Sequence, residues 1–356
     1  MDTGVFEARR ERLKQKLREL GLPALLVTYA ANRWYLSGFE LSDTQCNETA
    51  GWLLVRAHGP DVLLTDPRFE EEAARRLPRE QVFIYAGKRS EAVGSFLKGL
   101  NLAALGFEAK TLRLFDHERL KDSVALVPTE NLVEDLRLIK DEDEIGRITA
   151  SCALNHAVFA AVESKLAPGR SEAQVAWDLE RLFREGGATE SAFPPIVGVG
   201  ANAALPHANP GATLIREDEL VLVDAGCRYL GYCSDQTRTF WVGDNPSERF
   251  LRTRELVRAA QQRALATIRP GVVFREAYLA ARSVFDEASE AEHFTHSLGH
   301  GIGLETHEAP SLNAAAEGVF APGMVVTVEP GLYYPDWGGV RWEFTVLVGE
   351  DGVMVL

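Results

Sequence analysis

The chain has 356 residues, 46% hydrophobic and 25% charged, a balance that excludes a disordered or fibrous protein and suffices for two cores. Its 38 Lys and Arg against 52 Asp and Glu leave a formal charge of −14, which argues against a nucleic-acid backbone or an anionic membrane as partner. Four cysteines (Cys46, Cys152, Cys227 and Cys233) without a CxxC pair, an N-terminus unlike a signal peptide, and no apolar run approaching about 18 residues predict a cytoplasmic protein with free, mostly buried thiols.

Residues 5–20 are charged and helical in pattern, with Leu13, Leu17 and Leu20 on one stripe. Short β-type runs come next at 24–29, 51–56, 61–65, 81–85 and 104–108, separated in part by helical segments at 70–77 and 90–100. This alternation predicts an α/β domain over residues 1–130, in which no reactive cluster stands out. A boundary is expected near 128–140, and a second domain over 135–356. The acidic run at 141–144 opens a helix reaching about Leu166, its acids placed where the helix dipole favours them. The second domain echoes itself. Ala-Pro-Gly-Arg-Ser-Glu at 167–172 precedes a helix to about Gly186, and Arg-Pro-Gly at 269–271 precedes a similar one at about 275–288. A duplicated αβ unit accounts for the echo and places a site between the two halves.

Residues 219–242 read as two strands about a turn at Leu230 and Gly231. With a two-residue turn, Tyr229 faces Tyr232, Asp224 faces Thr237 and Asp235 faces Gly226. The two aspartates then project from one face as diagonal neighbours. A single such Asp most simply caps a turn or pairs with an Arg, such as Arg238. Two mid-strand carboxylates in an apolar hairpin repel unless a cation or proton separates them, which favours metal. Cys227 and Cys233 lie beside them, but the carboxylates are the better ligands. Four of the eight histidines, His293, His296, His300 and His307, fall within fifteen residues, threaded with Gly299, Gly301 and Gly303 that allow close backbone approach. Two later strand-like segments, 324–333 and 340–348, place Glu329 and Glu343 among apolar neighbours, where an ionised carboxylate needs a partner. Four acids and one His suit two divalent ions, and the lack of a Cys ligand disfavours structural zinc.

These motifs stand in a familiar order: Asp-Ala-Gly at 224–226, Ser-Asp-Gln-Thr-Arg-Thr-Phe at 234–240, Gly-His-Gly-Ile-Gly at 299–303 with His-Glu at 307–308, Val-Glu-Pro-Gly at 328–331, and Gly-Gly-Val-Arg-Trp-Glu at 338–343. Over roughly residues 135–356 the chain resembles the pita-bread metallopeptidases, which include methionine aminopeptidase, aminopeptidase P, prolidase and creatinase. The resemblance implies a creatinase/prolidase-like α/β N-terminal domain and an α+β catalytic domain of two pseudo-twofold halves. It implies two divalent metal ions, manganese foremost, with cobalt, zinc or iron as alternatives. Asp224 would hold one ion, His300 and Glu329 the other, and Asp235 and Glu343 would bridge them. Glu329 would also serve as general acid/base. His207, in Leu-Pro-His-Ala-Asn at 205–209, His296 and His307 would stabilise the oxyanion and handle polar groups of the substrate. Arg341 stands where the family has an active-site Arg, and Thr237 would support a ligand by a hydrogen bond. His58, His117, His156 and His293 match no such role and read as structural.

The full ligand set argues against a creatinase-like enzyme and against a non-catalytic protein-binding module on the same fold. The N-terminal domain, with His207, His296 and Arg341, points away from methionine aminopeptidase. The expectation is an Xaa-Pro aminopeptidase acting on proline-containing peptides as a homodimer, with the Xaa-Pro dipeptidase (prolidase) as alternative. That order rests on residues 307–323, which contain no Lys or Arg to hold a dipeptide carboxylate. Trp342 and Phe344 replace the Ile and Asp common in the family and are expected to reshape the wall of the site or its backing.

Overall fold

The first turn of the fold shows how burial tracks pattern. In a computed structural model that describes residues 3–43, 45 and 48–356, helix α1 (Thr3–Glu19) buries Phe6, Leu13 and Leu17. Leu20, expected on the same stripe, is 57% exposed, because the helix has ended and the turn into Gly21 carries it off the buried face. Cys46 lies outside the described residues; Cys152, Cys227 and Cys233 are free and buried.

The chain divides into two compact units, Met1–Arg137 and Leu138–Leu356. After α1 the first contains β1 (Ala24–Val27), α2 (Ala30–Ser37), β2 (Gly51–Arg56), β3 (Val62–Thr65), α3 (Glu70–Arg76), β4 (Val82–Ile84), α4 (Arg89–Gly99), β5 (Leu105–Glu108), α5 (Leu114–Leu120), β6 (Leu126–Thr129) and α6 (Glu134–Arg137). One sheet has the order β4-β3-β2-β1-β5-β6, antiparallel from β1 to β3 and parallel at the other joins. Helix α2 had no periodic signal. The N–H groups of Thr28 and Tyr29 at its entrance are taken by the Glu108 carboxylate, at 2.6 and 2.7 Å, a partner from 80 residues away that no local pattern reveals.

The second unit opens on α7 (Glu142–Glu163), started by a capping box between Asp141 and Glu144. By length and apolar content α7 meets the test for a membrane span. Ile148, Val158, Phe159 and Val162 are nevertheless buried inside the unit, which makes it a core helix. The chain continues through α8 (Glu172–Glu185), β7 (Glu190–Ser191), β8 (Ile196–Val199), β9 (Glu219–Ala225), β10 (Cys227–Tyr229), β11 (Tyr232–Cys233), β12 (Gln236–Val242), α9 (Glu248–Thr267), α10 (Phe274–Glu287), β13 (Gly299–Gly301), β14 (Glu308–Leu312), β15 (Val325–Val328), β16 (Gly331–Tyr334), β17 (Gly338–Arg341), β18 (Phe344–Val348) and β19 (Val353–Val355). The sheets run β12-β9-β8, β11-β10-β7, β14-β13-β15-β18-β19 and β16-β17.

The sequence echo is a structural repeat. Ser171 and Val273, the residues before α8 and α10, form equivalent bridges to Leu214 and Val319. Gly169 N–H donates to the Ile215 carbonyl and Gly271 N–H to the Phe320 carbonyl, each at 2.9 Å. The same turn therefore launches the second helix of each half, and the halves pair helices α7 with α8 and α9 with α10.

Candidate metal centre

Three of the four candidate acids sit where a strand leaves one sheet for another. Asp235 comes after Ser234 between β11 and β12, Glu329 precedes Pro330 between β15 and β16, and Glu343 comes after Trp342 between β17 and β18. Asp224 is the penultimate residue of β9. The mid-strand expectation is therefore corrected for Asp235, Glu329 and Glu343. At each crossing the backbone loses its ladder partners, and side chains replace them. Gln261 Nε2 donates to the carbonyls of Val328 (2.8 Å) and Trp342 (2.9 Å), Thr345 Oγ1 donates to Asp235 O (3.1 Å), and Arg238 donates to the carbonyls of Thr237 and Glu343. The hairpin register holds across its break, with Tyr229 opposite Tyr232 and Asp224 opposite Thr237.

His300 lies in β13 at a register shift. A Cβ at Gly299 would come 2.0 Å from the Thr327 carbonyl, and one at Gly301 equally close to that of Ala309, so only glycine admits this packing. The His300 Nδ1 is 3.1 Å from the Gly301 carbonyl, which can only accept, so Nδ1 carries the proton. Nε2 is thereby directed at Glu329 Oε1 (3.2 Å) and Asp235 Oδ2 (3.6 Å). Thr327 Oγ1 accepts from His300 N–H at 3.0 Å and donates to Glu329 Oε1 at 3.1 Å, fixing both.

Arg341 organises the opposite side. Its Nη2 donates to Asp224 Oδ2 (2.6 Å), Nη1 to Tyr333 Oη (2.6 Å) and Nε to Thr237 Oγ1 (3.0 Å); Thr237 in turn donates to Glu343 Oε2 at 2.8 Å. Arg238, considered as a partner for the aspartates, pairs with neither.

The electrostatics are those of a cation site. Burial pushes Asp235 well above its ordinary range, reinforced by Glu343 and Asp224. Burial does the same to Glu343, reinforced by Glu329 and Asp224. Burial also raises Asp224, against the pull of Arg341. Burial works against ionised Glu329 too, but the hydrogen bond and charge of His300 outweigh it and hold the carboxyl near about 2. Asp224 Oδ1, Asp235 Oδ1 and Glu343 Oε1 are buried without a hydrogen-bond partner among the described residues. Ligand atoms of Asp235, His300 and Glu343 all lie within 4.8 Å of one another. Unpartnered acceptors beside an imidazole whose Nε2 frees a lone pair on giving up its proton are the donor set a divalent ion takes, so these residues fit a metal.

The site opens on a cavity of about 500 Å³ with an apolar wall that includes Phe193, Pro194 and Ile196. His207 and His307 are exposed on it and have no hydrogen-bond partner among the described residues. His296 differs from the expectation. Its Nδ1 donates to Ser297 O at 2.7 Å, so Nε2 accepts the Tyr333 hydroxyl at 2.9 Å. Both nitrogens are committed, leaving His207 and His307 as the imidazoles free to meet a substrate. Trp342 and Phe344 do not line this cavity; they sandwich Arg238, at 4.6 and 4.9 Å.

Tyr333 and Thr327 were not expected at the site, since each sits in an apolar run that reads as core. The one signal for Tyr333 was its place in a strand leading away from Glu329. Cys227 and Cys233 lie outside the centre, and burial pushes the Cys233 thiol up to about 11. His293 lies tilted against Tyr334 with ring centres 4.2 Å apart, His117 likewise against Phe107, His58 is exposed, and His156 lines a separate cavity.

Over residues 146–350 the chain matches Metallopeptidase family M24, and over 9–139 the Creatinase/Prolidase N-terminal domain. It is 34% identical over 350 residues to the Xaa-Pro dipeptidase of Pyrococcus furiosus, covering 98% of this chain and 97% of that one. Among solved structures it is similar to an Xaa-Pro dipeptidase from Bacillus anthracis, with TM-score 0.91, 37% identity and coverage of 98% and 97%. It is also similar to an X-Pro aminopeptidase from Thermotoga maritima MSB8, with TM-score 0.85, 28% identity and coverage of 96% and 97%.

Proposed function

We propose, because the chain belongs to metallopeptidase family M24, that it hydrolyses the peptide bond between an N-terminal residue and a proline in second position. The observation that carries the reading is the convergence of Asp224, Asp235, His300 and Glu329 on one cavity, with Glu343 behind them and its carboxylate within 4.8 Å of the ligand atoms of Asp235 and His300. These five would hold two divalent ions, manganese foremost for a set of oxygen donors and one imidazole. When bound, the ions supply Lewis acidity, polarising the scissile carbonyl and making water acidic at neutral pH.

The chain's own residues do the rest. Glu329, kept ionised by His300 and Thr327, is placed to take a proton from water and return it to the departing nitrogen. Like any amide nitrogen, that of proline is a poor leaving group until protonated, so the bond breaks only with this transfer. His207 and His307 donate to the carbonyl oxygen as charge develops on it. The apolar wall around Phe193 and Pro194 suits a pyrrolidine ring. Arg341 keeps Asp224 and Thr237 in place: four of its five N–H donors go to Thr237, Tyr333, Pro206 and Asp224, which leaves one on Nη2. Association as a homodimer belongs to the same reading.

The relatives named Xaa-Pro dipeptidase support a dipeptide substrate. The aminopeptidase is supported by a specific observation: Arg341 is the one guanidinium among the described residues of the cavity wall, and with a single N–H left it offers no paired grip on a dipeptide's carboxylate. Metal-replete protein is offered Xaa-Pro and Xaa-Pro-Xaa-Xaa peptides. Turnover of the dipeptide alone selects the dipeptidase, and turnover of the longer peptide selects the aminopeptidase. Release from neither, with manganese, cobalt or zinc, overturns the peptidase reading in favour of a protein-binding module.

A further inference from the structure

A second cavity of about 550 Å³ lies among α7, β12 and the start of α9 and shares no lining residue with the metal cavity. In a chain of charge −14 its surroundings are basic. Arg238 from β12 and Arg254 from α9 line it, together with His156 and Trp342, and Arg258 lies one helical turn beyond Arg254. The guanidinium of Arg238 lies 4.6 Å, and that of Arg258 5.4 Å, from the Trp342 ring centre, so one indole carries two cations. None of the three arginines has a carboxylate partner among the described residues. Arg238 donates only to two main-chain carbonyls, and Arg254 and Arg258 make no side-chain hydrogen bond or ion pair. Glu163 is the one acid among the described residues of the cavity wall.

Such an arrangement is costly as it stands. Two cations on one ring repel each other, and a largely buried guanidinium needs more than carbonyls to offset its desolvation. Stacking occupies the faces of a guanidinium and leaves its N–H edge open, the edge that matches the paired oxygens of a carboxylate or phosphate. Trp241, also on the wall, has a buried indole N–H without an acceptor among the described residues. We propose that this cavity binds a small polyanion of the phosphate or dicarboxylate class, held by Arg238, Arg254 and Arg258 over the Trp342 ring. Its occupant touches the arginine that fixes the Glu343 carbonyl, yet lies outside the substrate cavity.

The test uses the metal-loaded full-length protein, titrated separately with inorganic phosphate and with succinate at an ionic strength held constant with chloride, and monitored by tryptophan fluorescence and calorimetry. Saturable binding of at least one anion is expected, and the stronger one identifies the class. In the double variant Arg254→Gln/Arg258→Gln that binding weakens about tenfold or more, while peptidase turnover without added anion is unchanged. No saturable binding by either anion overturns the proposal. Binding undiminished in the double variant also overturns it, because the anion is then at the metals.

Discussion

Arg341 and Asp224 meet at 2.6 Å, Nη2 to Oδ2, and the contact joins the two halves of the repeat: Asp224 is the penultimate residue of β9 in the first half and Arg341 ends β17 of the second. Both are buried, and Asp224 Oδ1 is left for a cation. One oxygen is thus held by the protein's own positive charge and the other offered to a metal. Through Thr237 the same guanidinium steadies Glu343, so one side chain sets two ligands.

Arg341→Ala should therefore act on stability and geometry more than on metal content. It strips buried Asp224 of its partner and Tyr333 of a donor, a loss of about 3–5 kcal/mol for a broken buried pair. Added manganese should restore part of this, because a cation replaces the missing charge. Thermal unfolding with and without manganese checks it; a variant as stable as the parent in both would show that the pair contributes nothing. Turnover should fall while bound metal stays near the parent level.

Asp235→Ala removes a ligand that faces both His300 and Glu343. Activity should vanish, and metal per chain should fall on analysis of dialysed protein. Normal occupancy in this variant would refute the bridging role. Thr327→Val is the finer probe, since it keeps shape and deletes the hydroxyl that holds His300 and Glu329. Metal affinity should weaken about 10–100-fold, the range for supporting hydrogen bonds around a metal.

Much of this site was legible because its chemistry breaks local rules. Carboxylates amid apolar residues advertised themselves, and the period-2 argument placed Asp224 opposite Thr237, as observed. The crossings at Glu329 and Glu343 were not legible. Strand-like apolar residues lie on both sides of Glu329, at Val325–Val328 and Gly331–Tyr334, and nothing local says that the second stretch joins another sheet; what permits the change is Gln261, about 70 residues away. Tyr333 was hidden for a related reason: an aromatic within an apolar strand reads as packing, and its link to His296 and Arg341 exists only in three dimensions. In the first unit, α2 depends on Glu108 in the same non-local way.

The three histidines of the cavity should separate by experiment. His207→Ala and His307→Ala should each lower kcat/KM about 10²-fold, the scale for one oxyanion donor, with metal content and thermal stability preserved. His296→Ala instead leaves the buried Tyr333 hydroxyl without its acceptor, and so should lower stability by about 1–3 kcal/mol as well. Equal stability in all three variants would mean that His296 is as free as the others.

Glu108 gives the fold a pH dependence remote from the metal ligands in sequence. Burial pushes its carboxyl up to about 7, against hydrogen bonds from Asn32 and Thr28 that favour the ionised form. An unfolded Glu titrates near about 4.3, so the folded state holds the proton more tightly. The resulting stability is fully present below about pH 4 and is lost as pH rises through about 7, a total of order 3 kcal/mol. Glu108→Gln keeps an oxygen for the N–H groups of Thr28 and Tyr29 and removes the titration. Its baseline stability should drop, because the new amide meets the Asn32 side-chain amide, but its dependence on pH should flatten. Urea unfolding at intervals from pH 4.5 to 8 measures both slopes. A variant that loses stability with pH as steeply as the parent would place the titrating group elsewhere.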